Sequence, residues 1–368
     1  MTTPAFDVSV FHGRDGWSRD SVTSPETSLQ AQMGKVFGFL KGLHATHLVH
    51  TGVKLGLFTR LAKTTSGLTP GALAADLGLH EAYVRLWCEA ACALELLDYD
   101  PPTGYRLAPF MDQVLGTSSS TYYLGGFPEI HLLVARDYSR YPEFFSTGGT
   151  QPYQEHDDRF LKGVADATHV VPRMFIDAVL PKLAGLQARL ESGIRILDIG
   201  CGAGHAIAEF ATRYPNTRCV GIDVEPTSIA MAQALIAERG LADRVSAHHA
   251  DGAALPADFA GAFDLVTSFL VLHEVRPGLK DAVLEQCVRA TRPDGLLLLF
   301  DERYPSTPAD LRDAAQVFAV MAQWYEMTWG NVLNTKEEIH AMLARQGLRI
   351  VDETSLSRFY ILTAQRHA

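Results

Sequence analysis

The sequence predicts an α/β protein: a mostly parallel seven-stranded sheet with helices on both faces, preceded by a smaller, mainly helical unit. Three observations carry this. After Gly193, short apolar runs alternate with segments of helical spacing, the pattern of parallel strands buried on both faces. Residues 31–116 instead place apolar residues at helical spacing and finish in a short ribbon around a Pro/Gly turn. The chain has 368 residues, of which 47% are hydrophobic and 20% charged, enough for two cores.

In chain order, residues 1–30 are polar without a sustained period and read as a loose arm. From Ala31 a helical pattern sets in, with Val36, Phe37, Leu40 and Leu43 on one face. Thr69 caps a further helix, with Pro70 at its first position and Gly78 at its end. His80–Leu97 is strongly apolar at helical spacing and runs into the ribbon Leu97–Leu107. Helix, turn, helix and ribbon together outline a winged helix over residues 31–116. Residues 117–190 are rich in aromatics (Tyr122, Tyr123, Phe127, Tyr138, Tyr141, Phe144, Phe145) and read as helices that connect the main units and line a pocket. Residues 191–368 hold the seven predicted strands, at 194–199, 218–222, 244–248, 263–269, 296–300, 349–354 and 359–363.

Composition narrows the function. With 42 acidic against 32 basic side chains, the net charge is −10, unsuited to neutralising nucleic-acid phosphates or anionic lipid. No run approaches the roughly 18 apolar residues of a membrane helix. The first residues lack the basic and apolar segments of a secretory signal. The cysteines, 5 in all, follow no metal-ligand spacing, which suits a reduced, cytoplasmic protein without disulfides.

The sharpest signal is Asp198-Ile-Gly200-Cys-Gly202-Ala-Gly204-His205, at the end of the first strand of the sheet and entering a helix. Glycines there permit a tight turn and close approach of a ligand to the backbone. A dinucleotide site wants Gly-x-Gly-x-x-Gly, but His205 occupies the sixth position. Asp198 would repel a pyrophosphate and attract an ammonium or sulfonium group. Asp223 ends the second strand at the spacing of an acid that accepts ribose hydroxyls. Asp251 ends the third, where a carboxylate accepts from an adenine amino group. Either acid alone reads better as a helix cap; three at successive strand ends after a glycine loop read as a nucleoside site.

Asp198-x-Gly200-x-Gly202-x-Gly204 with Asp223 and Asp251 resembles class I methyltransferases dependent on S-adenosylmethionine, whose sheet is Rossmann-like. With the winged helix before it, the chain is similar over residues 31–368 to small-molecule O-methyltransferases that dimerise through the winged unit. The resemblance implies S-adenosylmethionine as cofactor, with Asp223 on the ribose and Val224 against the adenine. It puts Asp251, with Gly252 beside it, at the adenine edge, and the glycine loop beside the methionine moiety. Where part of the family holds the cofactor with a lysine, this chain has Phe269. The segment Ser268–Glu274 resembles the family's strand ending in His-Asp, whose histidine removes the acceptor's proton; here that is His273. Imidazole, with a pKa near 6.5, can take a phenol's proton during attack, worth on the order of 10²–10⁴ in rate. Asp301, by family spacing, orients His273, while Glu302 points away by strand alternation. The family's second carboxylate falls on Leu333, so that acid is missing.

Tyr122 and Phe127, with Trp324, Tyr325, Thr328 and Trp329, are expected to wall a flat, apolar acceptor pocket. The expected protein is a cytoplasmic homodimer, joined through residues 31–116, that methylates a hydroxyl of a small aromatic metabolite without a metal. N- or C-methylation, a non-methylating enzyme of the same fold and a DNA-binding regulator are the alternatives. The last is disfavoured because bases and acids balance over residues 31–116 and the apolar helix His80–Leu97 lacks basic flanks. His44, His47 and His50 share a helical face but lack a nearby acid or cysteine to complete a metal site. Cys88 and Cys92 are expected as buried thiols.

Overall fold

The structure, a computed structural model, describes residues 27–356 and 358–367, so most of the arm expected over residues 1–30 lies outside it. The described chain divides into two compact units: residues 27–135 with 162–170, and residues 136–161 with 171–367. The segment read from sequence as one connector, 117–190, is therefore shared between them.

The first unit has helices α1 (Leu29–Lys54), α2 (Leu57–Leu61), α3 (Pro70–Leu77) and α4 (Glu81–Ala93), then the antiparallel ribbon β1 (Leu97–Asp100) and β2 (Gly104–Leu107). The caps are those the sequence expects. Thr69 accepts from the Ala72 N–H at 3.2 Å with Pro70 following, and Gly78 closes α3 at φ 67°. Leu57, Phe58, Leu61, Leu73, Val84 and Trp87 form this unit's core. Cys88 is buried there, whereas Cys92 is only partly so. His50 pairs with Glu129, taking it out of the triple-histidine arrangement. Of helix α1 only Gly52 is buried; Leu48, Val49 and Val53 near its end pack partly against this core, while Val36, Phe37, Phe39, Leu40 and Leu43 nearer its start stand exposed.

The second unit is built on seven strands: β3 (Arg195–Ile199), β4 (Arg218–Asp223), β5 (Val245–His249), β6 (Phe263–Phe269), β7 (Thr291–Glu302), β8 (Leu348–Leu356) and β9 (Phe359–Arg366). Their order is β5-β4-β3-β6-β7-β9-β8. The first five are parallel and β9 runs antiparallel to both neighbours. Alternate residues of β7 enter opposite cores: Leu296, Leu298 and Phe300 on one face, Leu297 and Leu299 on the other. That is why the apolar runs are continuous rather than alternating. Strand order reverses between β3 and β6, and sheets of this kind bind ligands beyond the carboxyl ends of the strands at such a switch point. No helix among the described residues is long and apolar enough to cross a membrane.

Candidate active site

The turn after β3 shows why glycine stands at Gly200 and Gly202. Gly200 has φ 67°, and a Cβ there would lie 2.5 Å from a Val271 methyl. Its bareness lets the loop after β6 lie against the loop after β3. Gly202, at φ 51°, has no atom within 4 Å of where a Cβ would be, so it faces open space. Gly204 follows and precedes helix α10 (His205–Arg213), which comes after α5 (Phe127–Asp137), α6 (Tyr141–Thr147), α7 (Asp158–Thr168), α8 (Val171–Met174) and α9 (Leu186–Ser192).

The three acids differ in what they can offer. Asp198 is buried beneath the turn; the pairing of β3 with β6 sets it opposite Thr267, whose hydroxyl donates to it at 2.6 Å. Burial pushes its carboxyl up to about 7, against the Thr267 hydrogen bond. Asp223 accepts the Gly202 N–H at 2.9 Å and the Glu225 N–H at 2.8 Å, locking its carboxylate at the crevice. It is not the cap of the next helix, α11 (Pro226–Glu238), because Glu225 takes that role by accepting from the Thr227 N–H. Val224 is 47% exposed, as a surface for a flat ring requires. Asp251 is exposed, with Gly252 beside it, and accepts the Ala253 N–H at 2.8 Å. An open glycine turn, an oriented carboxylate, an exposed apolar residue and a further acid at adjoining strand ends fit a nucleoside with a cationic tail. Phe269 fits less well as a ligand contact. Its ring is held among Phe175 at 5.3 Å, Phe300 at 5.5 Å and Phe210 at 6.1 Å, and it serves the aromatic core.

His273 follows β6 by way of Leu270, a non-glycine at φ 59°, a conformation costing on the order of 1–2 kcal/mol. That turn delivers His273 onto Asp301 at the end of β7. Asp301 accepts from the ring Nδ1 and, at 3.1 Å, from the backbone N–H of His273. Glu302 points the other way and pairs with Arg358 at 2.8 Å, as strand alternation requires. Two more carboxylates face the free ring nitrogen: Glu326 lies 3.8 Å and Glu274 4.0 Å from Nε2. Burial disfavours a charged ring, but Asp301, then Glu326 and Glu274, outweigh it and push His273 up to about 10. This surrounding of acids favours the charged form of the ring. Burial also raises both glutamates, Glu274 and Glu326. His273, Glu274 and Glu326 hold ligand atoms within 4.8 Å of one another, spacing that could also hold a metal ion.

Glu326 was missed in the sequence, although it is the lone charged residue from 314 to 335. It belongs to α13 (Val317–Trp329), which follows α12 (Lys280–Ala290) and precedes α14 (Lys336–Arg345). At 100° per residue, Tyr325, Glu326 and Trp329 share one face, and Trp324 and Thr328 fall on another. The expected acceptor wall thus divides. Trp324 and Thr328 line a cavity of about 450 Å³ with Tyr141, Phe144 and Phe145. Trp329 instead packs edge-on against Phe160 and His156 and donates to Asp137 at 2.9 Å. Tyr122 and Phe127 belong to the helical unit, where Tyr122 is exposed and Phe127 stacks on His131.

Residues 196–295 match the family described as a methyltransferase domain. The wider fold is that of solved methyltransferases. It resembles an O-methyltransferase family protein from Burkholderia thailandensis at a TM-score of 0.71 and 21% identity, covering 93% of this chain and 99% of that one. Human N-acetylserotonin methyltransferase in complex with SAM gives a TM-score of 0.74 at 16% identity, over 94% of this chain and 100% of that one. In sequence, the chain is 37% identical over 161 residues to nocamycin O-methyltransferase of Saccharothrix syringae, 42% of this chain and 52% of that protein. The chain thus spans about half the length of that relative, and less of ajmaline N-methyltransferase from Rauvolfia serpentina, at 34%.

Proposed function

We propose that this protein is an S-adenosylmethionine-dependent methyltransferase acting on a hydroxyl of a small, aromatic metabolite, with His273 and Asp301 at its acid–base centre. The observation that carries this is the meeting of two features at the carboxyl edge of one sheet. The open Gly202 turn lies over Asp223, and the buried His273–Asp301 pair joins the loop after β6 to the end of β7. O-methylation is favoured by the named function of nocamycin O-methyltransferase. When bound, S-adenosylmethionine supplies the methyl group. Asp223 and Asp251 hold the nucleoside, and Val224 backs its base. Asp198 and the glycine turn support the cationic end. The cluster around His273 positions the acceptor's oxygen and handles its proton, while surrounding aromatics exclude water.

The protein acts in the cytoplasm as a homodimer joined through residues 31–116. The apolar side chains of α1, Phe37 (64% exposed) and Leu40 (50%) among them, supply the surface. Transfer of label from methyl-labelled S-adenosylmethionine to a panel of phenols and aromatic amines tests the activity. The expected result is labelled phenol with the wild type. His273→Gln should lose at least about 100-fold in turnover with cofactor affinity nearly unchanged. A His273→Gln enzyme that turns over at the wild-type rate would remove the histidine from the mechanism.

A further inference from the structure

The cluster around His273 includes Glu326 of α13, and that helix is gripped one turn further on. Trp329, three residues past Glu326, donates from Nε1 to Asp137 Oδ2 at 2.9 Å. The same oxygen lies 2.9 Å from Nε2 of His156, whose Nδ1 lies 2.9 Å from the Tyr153 carbonyl. The side chains of Asp137, His156 and Trp329 are all buried. Close by, the Gln151 N–H donates to the Thr328 carbonyl at 2.6 Å, so the segment 151–156 holds the last turn of α13 at two points. Asn331, the residue that donates to Glu326, follows directly after this turn.

The charge of His156 follows from its partners. One ring nitrogen faces a carboxylate oxygen and the other a backbone carbonyl, groups that only accept. A neutral ring carries a single N–H and would set its other nitrogen's lone pair against an oxygen; an imidazolium satisfies both contacts. Asp137 ends α5, where the helix dipole favours a cation beside it. The Phe160 ring stacks on His156 with 4.0 Å between centroids, and an aromatic face attracts a cation.

We propose that His156 is a positioning residue: as an imidazolium paired with Asp137 it holds Trp329, and so sets the turn of α13 that presents Glu326 to the site. This rests on the methyl-transfer function proposed above. When the ring loses its proton, one of its two hydrogen bonds goes and Asp137 keeps only a neutral partner. The grip on Trp329 then loosens.

The groups facing the ring give the direction of its pH dependence. Asp137 comes from the end of α5, and Asp157 is the next residue along the chain. Burial holds the Tyr153 phenol well above its ordinary range, so it stays uncharged. Phe160 from α7 and Trp329 from α13 bring no charge. Burial disfavours the charged ring, but the hydrogen bonds to Asp137 and the Tyr153 carbonyl outweigh it and raise the ring above its ordinary 6.5. The contribution is therefore complete below pH 6.5 and is lost as pH rises through the higher folded value.

His156→Gln, with a neutral amide in place of the ring, tests this. At pH 6 the variant should melt below the wild type and turn over at least about tenfold more slowly, with calorimetric affinity for S-adenosylhomocysteine unchanged. Both gaps should shrink as the pH is raised past the titration point that nitrogen-15 NMR gives for the wild-type His156 ring. Gaps of constant size would reduce His156 to a structural residue and overturn the proposal, as would no gap at pH 6. Should the glutamine variant fail to fold, Asp137→Asn takes its place, and the His156 ring should then titrate lower than in the wild type. An unmoved titration point, or a neutral ring in the wild type at pH 6, contradicts the proposal. In the wild type the Trp329 indole N–H signal, assigned by its loss in Trp329→Phe, should shift with pH at the same point as the ring. An indole signal indifferent to that titration overturns the grip on α13. If the wild type binds cofactor but methylates nothing in the panel, the methyl-transfer function fails, while the melts and the indole signal still decide the role of His156.

Discussion

At the scale of single residues, two glycines in one turn serve different ends. Gly200→Ala should cost at least about 2 kcal/mol, because its Cβ would meet the stiff Val271 side chain at a left-handed backbone position. Gly202→Ala should cost only about 1 kcal/mol in stability, yet weaken cofactor binding, since its Cβ would enter the open space beside the turn. Thermal melts with calorimetry on both variants check this; a cofactor-competent Gly202→Ala protein would contradict it. Asp198 gives a pH-dependent counterpart. Its folded value, about 7, lies above the unfolded 3.8, so its charge costs little near pH 4 and most above pH 7. Asp198→Asn should therefore gain stability over wild type by roughly 1–3 kcal/mol on going from pH 5 to pH 8. A difference that does not change with pH would show that Asp198 is not held neutral. The tight turn at Gly200 and the strand-end position of Asp223 were legible because each rests on local backbone geometry. Glu326 was not: its meaning depends on which side of α13 faces His273, and that only tertiary packing decides.

At the scale of elements, the first four strands of the sheet were found to within a residue and the last three proved longer than expected, since seven apolar runs separated by helical spacing admit few other arrangements. Strand β7 proved longer than its apolar run, extending back to Thr291 through Arg292 and Asp294. The acceptor wall was harder to read. Trp324, Tyr325, Thr328 and Trp329 cluster in sequence, but a helix turns them to different sides, and only part of the set reaches the face carrying Glu326. The segment that places this helix is pinned from below. The buried Lys280 donates to the Val332 carbonyl and, at 3.1 Å, to Asn334, and Leu333 N–H donates to Gln323 at 2.7 Å. Thr335 then starts α14 through a reciprocal cap with Glu338. Thr335→Ala should cost about 1 kcal/mol, read as a lowered melting temperature. No loss would mean that Glu338 alone secures the helix start.

At the scale of the whole molecule, the sequence showed that a helical unit precedes the sheet, but not where the units divide. Residues 136–161 and 171–190 belong with the sheet, a partition set by packing that no composition shift marks. The exposed apolar stripe of α1 predicts a solution mass of twice 40.3 kDa. Val36→Glu with Leu40→Glu should halve it in light scattering without unfolding the chain, because both side chains are exposed. A wild-type monomer would remove the proposed dimer.

The central claim is that the crevice over Asp223 receives a nucleoside carrying a sulfonium. Titration calorimetry of the purified chain with S-adenosylmethionine, S-adenosylhomocysteine and NAD tests it most directly. Saturable binding of the first two, lost in Asp223→Ala, is the predicted result. Uptake of NAD with no heat from either sulfur nucleoside would contradict it.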